Sequence, residues 1–134
     1  MTPTAITAAP TAWTALHAAL RDRQPVLVDY HGLRRLICPH ALGWKSGRPM
    51  MLGYQTGGQT TTGTLHPDPT KRWRCMYIEQ IDNVLAADSA WGTASNYNPR
   101  QPFPPAVIDE LAIAIPHTLS RNPDQRSARY KAQE

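Results

Sequence analysis

Between Pro25 and Ala87 the sequence is broken by turn-forming residues into short runs with a two-residue alternation, which restricts this stretch to strands and turns. In 26–30, Val26, Val28 and Tyr30 fall on one face, and His31-Gly32 then makes a turn. The next run, 34–38, places Leu36 and Cys38 on one face and Arg35 and Ile37 on the other, until Pro39 withdraws a ladder donor. A third strand is expected over 49–55. The glycines of 43–47 suit a hairpin loop, which makes strands two and three antiparallel neighbours. Residues 56–70 are Gly, Thr and Pro with little to bury and read as a long exposed loop. The strand pattern resumes over 73–78 and continues over 81–86 after a kink at Glu79-Gln80 that turns a corner. Five short strands linked this way predict a mainly β fold, a small SH3-like five-stranded antiparallel barrel, with an open five-stranded sheet as the alternative.

The flanks differ in composition. Residues 1–10 are Ala/Thr-rich and read as a flexible leader. A helix starting at Pro10 or Thr11 carries Trp13, Leu16 and Leu20 in one stripe, with Ala15 and Ala19 on the same side, and Pro25 ends it. The helix and barrel together make a domain over 11–90. Residues 91–119 form a Pro-rich extension in which 106–115 reads as a short C-terminal helix started by proline. Its apolar residues nearly encircle it, so it must be covered by its own barrel, by a second copy in a homodimer or by a regulatory protein partner. The polar tail, 120–134, reads as disordered.

The 134 residues suit one compact domain, and no apolar run approaches the roughly 20 residues that cross a bilayer, so a soluble protein without a membrane partner is expected. Two cysteines are too few for a disulfide framework, and the start of the chain lacks the pattern of a secretory signal; the expected setting is the cytoplasm. The net charge of +4 is mild but concentrated. From Tyr30 to Ile78 seven basic residues, Arg34, Arg35, Lys45, Arg48, Lys71, Arg72 and Arg74, face Asp68 alone. On a small barrel such an excess attracts phosphates or other anions.

Tyr30, Gly32, Arg35, Pro39-His40 and Leu42-Gly43, then Gly47, the strand Met51-Leu52-Gly53-Tyr54-Gln55, Trp73-Arg74 and Ile78-Glu79-Gln80-Ile81 resemble a WYL domain in its small stand-alone form. Tyr97-Asn98-Pro99 also recurs in such proteins, and the resemblance spans about residues 16–102. It implies an Sm-like or SH3-like barrel with a flanking helix, whose basic groove binds a nucleic acid or a small anion in transcription regulation in a bacterium or its phage. The helix-turn-helix that precedes this module in larger relatives is missing, since only one helix fits before Val26; duplex reading by that route is not expected. The family's Trp-Tyr-Leu triplet falls at Met50-Met51-Leu52, and its fourth-strand arginine pair is replaced by Tyr77 and Gln80. Of its positive groove, Arg35 and Arg74 carry over.

Arg35 is the first candidate site residue, a planar bidentate donor for phosphate, with pairing to Glu79 or Asp29 as the alternative. His40 could serve the same anion or be a structural histidine. Trp44 and Arg48 at the hairpin, and Trp73 between Arg72 and Arg74, set aromatics beside bases as single-strand binders do, although either indole could instead cover the barrel end. Tyr54 completes the set. Cys38, His40 and Cys75, with His31 or His66, lack the paired spacing of a metal site, and buried free thiols are the ordinary reading. No nucleophile motif, phosphate loop or carboxylate pair marks an enzyme or a cofactor. The expected function is a regulatory ligand-binding module that recognises nucleic acid, single strands preferred, or a nucleotide-like anion; the alternative is a protein–protein adaptor acting through the apolar segment 104–115.

Overall fold

A computed structural model of the chain describes residues 8–61, 63–104 and 106–116. Of the expected leader, 1–7 lies outside these residues, as does the whole expected tail, 120–134.

The helix α1 (Ala8–Asp22) begins earlier than Pro10 and buries Leu16, Ala19 and Leu20 on one side. It ends in a left-handed cap. Arg23 takes φ 52°, its N–H donates to Leu20 O, and the N–H of Gln24 donates to Ala19 O, which satisfies two terminal carbonyls before Pro25 forbids another turn.

Six strands follow: β1 (Val26–Tyr30), β2 (Leu33–Lys45), β3 (Arg48–Gly58), β4 (Trp73–Tyr77), β5 (Ile81–Ala86) and β6 (Glu110–Ala114). They form one antiparallel sheet in the order β4-β3-β2-β1-β5, with β6 added beside β2. No ladder joins β4 to β5, so the sheet is not closed; a 3-10 turn, Ile78–Gln80, links them directly. Both hairpins turn on two left-handed residues. His31 and Gly32 (φ 53° and 77°) join β1 to β2, and Ser46 and Gly47 (φ 52° and 79°) join β2 to β3, the backbone twist that matches twisted strands.

Two expectations are corrected. The second strand does not stop at Pro39: β2 runs on to Lys45, with Pro39 opposite Gly53 and the register shifting before Ala41. The shift accommodates a residue that has no N–H to give. The expected C-terminal helix over 106–115 is also absent, because Glu110–Ala114 is strand β6. β1 pairs only with the first half of β2, which leaves the backbone groups from Ala41 to Trp44 without a neighbour on that side. β6 supplies it, since buried backbone donors and acceptors must be paired. The extension after Ala90 accordingly belongs to the core: Tyr97, Phe103 and Ile115 are buried with Leu16, Val28 and Met51. The predicted loop is partly built as well, as β3 reaches Gly58 and Asp68 caps a 3-10 turn, Pro69–Lys71, by accepting from Thr70 N at 3.0 Å. Among the described residues, no helix is long and apolar enough to cross a membrane.

Candidate functional site

Strand parity separates the adjacent arginines of β2. Arg34 lies opposite Asp29, and Arg35 lies opposite Val28, which is completely buried. Arg34 therefore points outward and grips Asp29 with Nε and Nη2 at 2.9 and 3.0 Å. Those bonds, together with one from Asn83, hold the Asp29 carboxyl down to about 2.

Arg35 points inward and is 4 % exposed. Its guanidinium lies 5.4 Å from the centre of the Tyr30 ring, and Nη2 reaches Tyr30 O at 3.4 Å, a long bond. Its Nε is buried with no hydrogen-bond partner. Burial, and then the nearby positive charge of Arg74, both press its pKa down. Among the described residues the ion pairs are Arg34 with Asp29, Lys45 with Asp109 and Arg48 with Glu79. Both carboxylates that could have neutralised Arg35, Asp29 and Glu79, are thus taken by other arginines. A buried cation without a counterion is costly and marks a place where an anion gains most.

The second guanidinium comes from β4. Arg74 donates Nε to Gln55 Oε1 at 3.1 Å and Nη1 to Trp73 O at 3.1 Å. Gln55, completely buried on β3, is fixed in turn by donating Nε2 to Gly57 O and Gln59 O, each at 2.9 Å. The amide can therefore present only its oxygen to Arg74. Next to it, Gly58 pairs with Arg35 at φ 84°, where a Cβ would lie 2.5 Å from Arg34 O and 2.7 Å from Arg35 Cα. Only glycine lets β3 approach Arg35 this closely. Gln55 was not among the residues expected at the site, although its phase with Met51 and Gly53 along β3 was a signal that a polar side chain faces inward.

The remaining expected residues are elsewhere. Trp44 stacks on Trp13 of α1, with centroids 4.9 Å apart and planes at 19°. Arg48 lies 3.6 Å above the Tyr77 ring, with Nη2 2.6 Å from Glu79. Tyr54 is buried, its hydroxyl donating to Pro69 O at 2.8 Å.

His40 is the centre of an aromatic cage. Its ring stacks on Trp91 and meets Trp73 and Tyr97 edge-on, each centroid 4.8 or 4.9 Å away. Nδ1 lies 2.7 Å from Cys38 O and Nε2 lies 2.9 Å from Thr93 Oγ1. A carbonyl can only accept, so Nδ1 carries the proton and Nε2 accepts from the threonine hydroxyl. Burial holds the imidazole pKa down to about 4, and the ring is neutral near pH 7. With both nitrogens engaged it has no donor for an anion.

Beside this cage lies a cleft of about 310 Å³, lined by Trp73, Cys75, Tyr97 and Phe103 among others. Neither Arg35 nor Arg74 lines it. Both cysteines are free: Cys38 is buried, its thiol pushed up chiefly by burial, and Cys75 is exposed. No group of three or more His, Cys, Asp and Glu among the described residues is placed to hold a metal ion. Comparison with known proteins finds no matching family model, no similar curated protein and no similar solved structure.

Proposed function

We propose that this protein is a binding module of a regulatory system, one that recognises a phosphate-bearing ligand, a nucleic acid strand or a nucleotide, through Arg35 and Arg74. The observation that carries this reading is Arg35 itself, a buried guanidinium with an unpaired Nε that also feels the positive charge of Arg74. The resemblance to WYL domains favours the same residues. The strand order β4-β3-β2-β1-β5 and the 3-10 turn between β4 and β5 support the finer reading as an SH3-like or Sm-like barrel. Two unpaired cysteines are in keeping with a cytoplasmic setting.

Binding rather than catalysis is supported by the state of the nucleophile and base candidates. Cys38 is buried and His40 has both ring nitrogens occupied, so neither is poised for proton or acyl transfer. The adaptor reading has less support: β6 and Ile115, which make up much of the apolar segment 104–115, pack on the protein's own β2 and core.

The test is fluorescence anisotropy of labelled single-stranded DNA, single-stranded RNA and duplex at two salt concentrations, with Arg35→Met and Arg74→Gln alongside. The expected result is binding that weakens with salt and falls in both variants. Affinity that is unchanged in both variants would overturn the assignment of these residues.

A further inference from the structure

A second site lies apart from the two arginines. Along β3 and β4, alternation sends Met51, Arg74 and Met76 to one face of the sheet and Leu52, Trp73 and Cys75 to the other, where residues 96–104 wall in the cleft of about 310 Å³. We infer that this cleft binds an uncharged, flat heteroaromatic molecule of one or two rings that carries an amide-like edge, a hydrogen-bond donor beside an acceptor.

The walls are held by the fold's own bonds. Trp73 and Tyr97 stack with centroids 5.5 Å apart and planes at 23°. The Trp73 indole N–H donates to Asn96 Oδ1 at 2.9 Å, and the Tyr97 hydroxyl donates to Ile115 O at 2.6 Å, so neither ring turns without breaking a bond. The N–H of Gln101 donates to Asn98 O at 3.1 Å, and Pro102 and Pro104 restrict the backbone on either side of the buried Phe103. A hollow fixed in this way loses little freedom when a ligand enters. Its volume stands at the lower end of small-molecule sites, about 300–1,000 Å³, which suits one ring or two fused rings.

Charge selects against ions. Among the described residues that line the cleft, none is charged, so an ion entering it would leave water without gaining a counterion. A cation drawn to the aromatic faces meets a further obstacle, because Lys71, Arg72 and Arg74 flank Trp73 along the chain. The surface that Leu52, Trp73, Tyr97 and Phe103 contribute favours a flat apolar ring, held by offset and edge-on contacts.

Two carboxamides supply the polar rim. Asn96 accepts from Trp73 through Oδ1 and donates to Thr70 O at 3.1 Å through Nδ2, which leaves it a lone pair and one N–H. The exposed Gln101 side chain has both its carbonyl and its amino group to offer. A carboxamide is matched most fully by a group that donates and accepts along one edge, as a lactam does. The lining thus specifies a neutral ring with such an edge, and Arg74, on the opposite face of β4, takes no part.

The experiment uses the full chain and four probes: carbostyril, a neutral bicyclic lactam; naphthalene, which has the rings alone; naphthoate, an anion; and phenyltrimethylammonium, a cation. Binding is read from the indole N–H resonance of Trp73, assigned by its loss in Trp73→Phe, and from protection of the exposed Cys75 thiol against alkylation, with the buried Cys38 as internal control. Two variants at exposed positions accompany the wild type, Cys75→Phe to fill the cleft and Gln101→Ala to remove one carboxamide, with folding of each verified by circular dichroism. The expected result is saturable binding of carbostyril that protects Cys75. The other three probes should bind about tenfold more weakly, as should carbostyril to Cys75→Phe, with a smaller loss in Gln101→Ala. Equal affinity for naphthalene, with no loss in Gln101→Ala, would overturn the amide-like edge. Equal or tighter binding of either ion would overturn the choice of an uncharged ligand. Carbostyril binding that survives Cys75→Phe and leaves Cys75 unprotected would place the ligand outside the cleft and overturn the site, and so would the lack of saturable binding by any probe.

Discussion

Gln55 holds Arg74 in place: its side-chain oxygen accepts from Arg74 Nε at 3.1 Å, while its amide nitrogen is tied to Gly57 O and Gln59 O. This buried amide fixes one guanidinium near another, Arg35, that has no counterion among the described ion pairs. A buried guanidinium without a counterion costs the fold stability.

Arg35→Met should therefore stabilise the ligand-free protein. Methionine fills a comparable volume without a charge to desolvate, and the gain is expected to be about 1–2 kcal/mol, read as a higher urea midpoint at unchanged slope. A lower midpoint would mean that the guanidinium serves the fold.

His40 makes stability depend on acid. Its folded pKa, about 4, lies below the unfolded value of 6.5, so below pH 6.5 the unfolded chain binds a proton that the folded chain refuses. Stability from this group is complete above pH 6.5, declines as pH falls toward 4 and then levels off, a loss of about 3 kcal/mol in all. Urea unfolding at pH 7.5 and 4.5 should show most of this loss in the wild type and a shallower one in His40→Phe, whatever the variant's own baseline.

Gly43→Ala tests the docking of β6. A Cβ at this position would lie 2.6 Å from Glu110 O and 3.1 Å from Ile108 Cδ1, so the strand must move away. The expected cost is about 1–3 kcal/mol. Hydrogen exchange should become faster at the amides of β6 and remain slow in the β1–β2 hairpin.

Ile115→Ala should cost about 2–5 kcal/mol, as expected for a side chain that is 2 % exposed in the core, its N–H donating to His40 O and its carbonyl accepting from the Tyr97 hydroxyl. Thermal unfolding checks the magnitude. A negligible shift would restore the view that this segment is available to a partner.

Local chemistry in the sequence by itself determined much of the fold. Alternation in Val26–Tyr30, the paired left-handed turns at His31-Gly32 and Ser46-Gly47, and the stripe of Leu16 and Leu20 each depend on residues within a few positions of one another. The sequence also singled out Arg35 and Arg74 as candidates, through the resemblance to WYL domains and a run of seven basic residues with one acid among them.

The tertiary structure alone decided which of these charges are free and which rings are available. Asp29 and Glu79 had to be placed before it was clear that Arg34 and Arg48 take them, and Thr93, Trp91 and Tyr97 had to fold back before His40 became a caged, neutral core residue. The same holds for β6. Its residues are apolar enough for a short helix, and what makes them a strand is the unpaired edge of β2, nearly seventy positions away in the chain. A periodic pattern reports the face a residue presents; which partner meets that face is a long-range fact, set by the backbone groups and charges that the rest of the fold leaves unsatisfied.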